Sequence, residues 1–139
     1  MSMRTFFRKI AVRFRCRRLG LEFPLFCKVH GVKAPDFQGA LAQSRAGDGL
    51  QLVHVPLETR PENVYVYSIE LNRILGRLES GLSEKLVRAF GKGFCLDGRI
   101  ENITGGPPSW KYFGCNLRIL DTMTLMEPYL TEQTSPPDV

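Results

Sequence analysis

Residues 62–78, ENVYVYSIELNRILGRL, decide how the rest of the chain folds. Val64, Tyr65, Val66 and Tyr67 alternate in the period-two pattern of a strand with two unlike faces. A second short run follows with Gly76 inside it, and the connection through Leu71 and Asn72 suits a hairpin loop longer than two residues. The stretch reads as an antiparallel ribbon, Asn63–Ser68 and Arg73–Leu78, with Ile74 facing inward. A helix follows at once. In SGLSEKLVRAFGKG (80–93), Ser80 is placed to cap, Leu82, Leu86, Ala89 and Phe90 share a face, and Gly91 is placed to end it.

Working outward, FPLFCKVHGV (23–32) reads as a strand bounded by Pro24 and Gly31. PDFQGALAQSRAGD (35–48) reads as a short helix with Asp36 as N-cap, Phe37 and Leu41 inward, and Gly47 as its stop. LQLVHVP (50–56) is a strand ended by Pro56. Downstream, FCLDGRIENIT (94–104) turns Phe94, Leu96 and Ile100 inward, GGPPSW (105–110) reverses the chain, and KYFGCNLRILD (111–121) points Phe113, Cys115, Leu117 and Ile119 one way. Six short strands with local connections and two helices do not make a parallel doubly wound sheet, whose crossovers need more helices. The expectation is a mainly β (α+β) domain, a small six-stranded antiparallel barrel plugged by two helices. Ile74, Leu86, Phe90, Phe94, Ile100, Leu117 and Ile119 should meet in one core.

The 139 residues suffice for one domain with arms. The division expected is a basic N-terminal arm (1–22), the barrel (23–121) and a partly disordered C-terminal tail (122–139). The net charge of +5 is unevenly placed. Arg4, Arg8, Lys9, Arg13, Arg15, Arg17 and Arg18 give residues 1–20 a charge of +7 with no acid, while twelve bases against ten acids leave residues 23–121 at +2. On a helix, Met3, Phe7, Ile10 and Phe14 share one face of the arm. That pattern fits a basic amphipathic helix for nucleic acid or an anionic membrane, an Arg-rich targeting segment, or a first element whose phenylalanines cover the core. No apolar run approaches the roughly 18 residues needed to span a bilayer.

Catalytic patterns are missing. There is no GxSxG, GxxxxGK[ST], HExxH or GxGxxG. The glycines and lysine of GKGFCLDG (91–98) end a helix and open a strand, the reverse of a phosphate loop. His54 stands alone on a strand and reads as a packed residue. Cys16, Cys27, Cys95 and Cys115 form no CxxC pair, and with only His30 and His54 they lack zinc-site spacing. They are expected to be reduced structural thiols, in keeping with a cytoplasmic protein. No cofactor, metal or small-molecule substrate is expected, and no enzyme.

Charge and aromatic character point elsewhere. Lys33 follows the first strand, Arg60 lies in the loop before the ribbon, and Arg73 and Arg77 lie on its second strand. Gathered beside Tyr65 or Tyr67 and Trp110, they would form the cationic, aromatic groove that single-stranded nucleic acid requires.

The run from FCKVHGV to YFGCNLRI resembles the HIRAN domain over roughly residues 23–121. The resemblance is carried by KVHGV before a helix, by AGDGLQLVHVP, by Asn63 before VYV, by the LGRL strand with its following helix, and by ITGG ahead of YFGCNLRI. It implies a six-stranded barrel similar to an oligonucleotide-binding fold, with Asn63 and Gly76 as framework positions. It also implies binding of the 3′-hydroxyl end of single-stranded DNA, through an arginine-tyrosine pair after the first strand and an asparagine-proline-tyrosine-aspartate run ahead of the ribbon. Here Lys33 and Ala34 stand at the pair, and Arg60 and Pro61 stand at the tyrosine-aspartate.

The expected function is thus a non-enzymatic module for single-stranded DNA or DNA ends, with Lys33, Arg60, Asn63, Tyr67, Arg73 and Arg77 as contacts and residues 1–20 as a tether. The alternative is a protein-interaction module that keeps the barrel without the DNA site.

Overall fold

The alternation in residues 64–68 is built as written: Val64, Val66 and Ser68 are buried, while Tyr65 and Tyr67 face outward. The computed structural model describes residues 2–123. Three helices, α1 (Met3–Arg18), α2 (Pro35–Gln43) and α3 (Ser80–Phe90), accompany six strands. These are β1 (Leu25–Lys28), β2 (Gly49–His54), β3 (Val64–Ser68), β4 (Arg73–Arg77), β5 (Cys95–Gly105) and β6 (Phe113–Met123). The strands form one antiparallel sheet in the order β1-β6-β5-β2-β3-β4. From β1 to β6 the order of elements is the one expected. The tail from residue 124 onward lies outside the described residues.

The sheet curls until its two edges meet. Just past β1, His30 and Arg77 exchange both backbone hydrogen bonds, 2.8 Å from the His30 N–H and 2.9 Å from the Arg77 N–H. That single bridge joins the end of β4 to the chain leaving β1. Gly76 makes the crossing possible. A Cβ there would lie 2.5 Å from Val29 Cγ1 and 2.6 Å from the His30 carbonyl oxygen. Only a residue without a side chain lets the two strands approach so closely.

One core fills the curl. Leu41, Leu52, Val66, Leu75, Leu86, Phe94, Leu96, Ile100, Leu117 and Ile119 are all buried in it. Ala40 and Leu41 of α2 and Leu86, Ala89 and Phe90 of α3 supply the helical contributions. Ile74 is a correction: it is only half-buried, and Leu75 occupies the core in its place. The ladder explains the exchange. Val66 pairs with Gly76 but Tyr67 pairs with Ile74, so Leu75 is the extra residue of a β-bulge. The bulge reverses the inward–outward phase of β4 below Gly76.

Caps also differ from expectation. Glu79, not Ser80, caps α3, its carboxylate accepting the Gly81 N–H at 2.9 Å. Pro35 opens α2 behind Ala34, which leaves Asp36 in the first turn, and the helix ends at Ser44 rather than Gly47. Gly47 instead donates its N–H to the Ile100 carbonyl at 2.8 Å.

The basic arm is a helix that belongs to the body. Val12 and Cys16 are buried where α1 packs on α3. The face is the opposite of one expectation, because Met3, Phe7, Ile10 and Phe14 point to solvent and do not cover the core.

Replacing Gly76 with alanine should destabilise the protein by about 1–3 kcal/mol, the usual cost of forcing extra atoms into a packed site. Urea denaturation measures it. A change below about 0.5 kcal/mol, the range of an indifferent surface site, would mean the close approach does not constrain the fold.

Candidate functional site

The loop between β2 and β3 is held by backbone and buried side-chain hydrogen bonds. Leu57 and Arg60 bond each other in both directions at 2.9 and 3.0 Å. Asn63 is 4% exposed and donates its side-chain N–H to the Val55 carbonyl at 3.1 Å, while its own carbonyl accepts the Val55 N–H. His54 completes the clamp. Its Nε2–H donates to the Pro61 carbonyl at 2.9 Å and its Nδ1 accepts the Gly93 N–H at 3.1 Å, which fixes one neutral tautomer. The imidazole stacks on Phe94 with centroids 5.3 Å apart. Both ring nitrogens are used in bracing the loop.

That loop delivers Arg60 to a cleft of about 290 Å³. Arg60, Asn63, Tyr65, Arg77, Gly31 and Phe37 are among its walls. Tyr65 and Arg77 are direct cross-strand partners on the outward face of the β3–β4 ladder. Gly31 has φ +67°, and a Cβ on it would stand 3.2 Å from Arg77 Nε, so the arginine side chain lies against bare backbone. Among the described residues, Arg118 is paired with Glu101 at 3.2 Å, but no carboxylate is paired with Arg60 or Arg77.

Two further hollows adjoin this cleft. Val32, next in sequence to Gly31, lines one of about 510 Å³ together with Lys28, Trp110, Lys111, Tyr112 and Phe113. The ammonium groups of Lys33 and Lys111 stand 5.5 and 5.4 Å from the centre of the Tyr112 ring, within cation–π range. Trp110 is 70% exposed. Gln38 fixes this wall to α2: its Nε2 donates to the Val32 and Phe113 carbonyls at 2.8 and 3.0 Å, and its Oε1 accepts the Phe113 N–H at 2.8 Å. Phe37 is shared with the other hollow, which Asp36, Tyr67, Asn72, Arg73 and Ile74 line.

The six residues singled out from sequence are therefore divided. Arg60, Asn63 and Arg77 meet in the central cleft. Tyr67 and Arg73 lie beyond Phe37 beside the acidic Asp36, and Lys33 lies toward Tyr112. The β4 bulge separates Arg73 from Arg77, because it interrupts the alternation that would put them on one face. Asn63 and His54 serve the frame. Tyr112, Lys111, Phe37 and Gln38 were not singled out, although the interleaved bases and aromatics of WKYF (110–113) carried a signal for the first two.

The arrangement gathers cationic side chains and aromatic rings along one open surface. Among the described residues no three His, Cys, Asp or Glu side chains converge as a metal site. The four cysteines are free. Burial, with Glu79 nearby, pushes the Cys27 thiol up to about 12. Burial, with Cys27 nearby, does the same for Cys115. Burial, with Asp97 nearby, raises Cys95 to about 11. No described helix is long and apolar enough to cross a membrane. No protein-family model, curated protein or solved structure matches the chain.

A thiol raised from 9 to about 12 holds about a thousandfold less thiolate at neutral pH. Native Cys27 and Cys115 should therefore react with an aromatic disulfide reagent at least about a hundredfold more slowly than in the urea-unfolded chain. The same shift favours the folded state below pH 9, and that contribution is lost as pH rises toward about 12, where the folded thiols also ionise. Equal labelling rates in the two states would contradict the half-buried placement of Cys27 and the buried placement of Cys115.

Proposed function

We propose that the protein is a non-enzymatic module that binds single-stranded nucleic acid across the central cleft. The observation that carries this reading is the convergence of Arg60 and Arg77, unpaired with any described carboxylate, beside Tyr65 and Phe37 in one open cleft. Guanidinium groups bind phosphate oxygens by paired hydrogen bonds, and neighbouring rings give bases a stacking surface. Lys33, Lys111, Tyr112 and Trp110 extend the same combination past Gly31. Arg60 and Arg77 act on phosphates and so fix register without reading sequence. The resemblance to HIRAN domains supports a barrel used to hold DNA, and the six-stranded antiparallel sheet agrees with that architecture.

The departures from that family change what the cleft would take. Where its members place a tyrosine and a hydroxyl-accepting aspartate, this chain has Arg60 and Pro61. An arginine donates and cannot accept, and proline offers no polar side chain. The cleft suits a phosphate rather than a free 3′-hydroxyl.

Titration of a labelled single-stranded oligonucleotide at several salt concentrations tests the binding. Log K should fall against log salt by about 0.7 for each phosphate neutralised. Replacing Arg60 or Arg77 with glutamine should flatten the slope by about 0.7 each and weaken unrelated sequences alike. Undetectable binding at low salt, or a slope unmoved by both replacements, would overturn the reading.

A second comparison uses two oligonucleotides differing only in a terminal 3′-hydroxyl or 3′-phosphate. The phosphate should bind at least as well as the hydroxyl. A hydroxyl preference of about tenfold, or 1.4 kcal/mol, would mean that another acceptor has taken over the end site.

A further inference from the structure

Helix α1 has two apolar faces. Val12 and Cys16 are buried on the side that packs toward α3. Met3, Phe7, Ile10 and Phe14 are 70, 60, 48 and 62% exposed, and Phe6 stands beside Phe7 with ring centroids 5.8 Å apart. At about 100° per residue these four lie along one stripe, on the side of the helix opposite Val12 and Cys16. Arg4 and Arg15 fall on one flank of the stripe and Arg13 and Arg17 on the other, all four exposed. No acidic residue occurs in residues 1–20. Surface hydrophobics are ordinarily scattered, and a contiguous row of this kind marks an interaction surface.

We infer that α1 lies flat on an anionic lipid bilayer, its stripe inserted at the level of the upper acyl chains and its arginines among the headgroup phosphates. Charge complementarity selects this occupant. Cations of one sign on both flanks of an apolar row match a plane that is apolar below and anionic above. The long arginine side chains can reach up to the phosphates while their methylenes stay in the apolar layer. A nucleic acid would satisfy the arginines and leave the phenylalanines in water. Because the stripe faces away from the α3 contact, the helix can reach the bilayer with the barrel held behind it. The inference rests on α1 alone and is independent of the cleft.

The test is sedimentation of the full chain with vesicles of phosphatidylcholine, alone or mixed with phosphatidylglycerol. Binding to the mixed vesicles should exceed binding to phosphatidylcholine by about tenfold or more. Two double variants separate insertion from simple attraction: F7S with F14S, and R13Q with R17Q. All four side chains are exposed, so circular dichroism should show an unchanged fold. Each pair should reduce binding to the mixed vesicles at least about tenfold. Three results would overturn the inference. One is no binding to mixed vesicles, and another is binding unchanged by F7S with F14S, which is adsorption by charge alone. The third is an α1 whose arginines serve oligonucleotide affinity while vesicles are ignored.

Discussion

The architecture depends on one backbone crossing. The chain leaving β1 passes over β4 at Gly76 and exchanges hydrogen bonds between His30 and Arg77. An antiparallel sheet of six strands has two edges, and unpaired edges are liabilities for any β protein. Here one bridge brings them together. It also fixes where the charges go, because the residue that makes the bridge with its backbone, Arg77, sends its side chain into the cleft. Gly31, on the other side of the bridge, supplies the bare backbone against which that side chain rests. Closure of the sheet and assembly of the cleft are thus the same event.

Around this crossing, buried and half-buried polar side chains serve as braces. Asn63 and His54 secure the loop that carries Arg60, and Gln38 secures the wall that carries Tyr112. Each satisfies backbone groups that would otherwise be stranded away from water, at a cost of about 1–3 kcal/mol apiece. No buried side-chain nitrogen or oxygen among the described residues lacks a partner. Arg60 and Arg77, by contrast, have no carboxylate partner among the described residues. The polar groups of the frame are thus satisfied within the fold, and the guanidinium groups of Arg60 and Arg77 line the open cleft.

Much of this was legible in the sequence because local pattern and tertiary role agreed. The strand alternation of 64–68, the helix of 80–90 and the inward set Phe94, Leu96, Ile100, Leu117 and Ile119 all follow from periodicity. The misreadings arose where one residue changes the phase or a partner is distant. The bulge at Leu75 reverses β4 and moves Ile74 out of the core, and nothing in ILGR announces an extra residue. The helix 3–18 is amphipathic twice over, so periodicity alone could not choose which face α3 would cover. Gln38 and Asn63 look like surface residues until their backbone partners, up to 75 residues away for Gln38, are known. Arg60 and Arg77 were found by charge and resemblance, and their meeting is a product of the crossing at Gly76.

The most direct test of the central claim is amide hydrogen exchange of the full chain with and without a single-stranded oligonucleotide at low salt. The account predicts slowed exchange on both sides of the crossing, in residues 31–37 and 57–65, while β5 and β6 away from the 105–113 turn stay unchanged. A complex that protects only residues 3–18, leaving both segments of the cleft as they were, would contradict it.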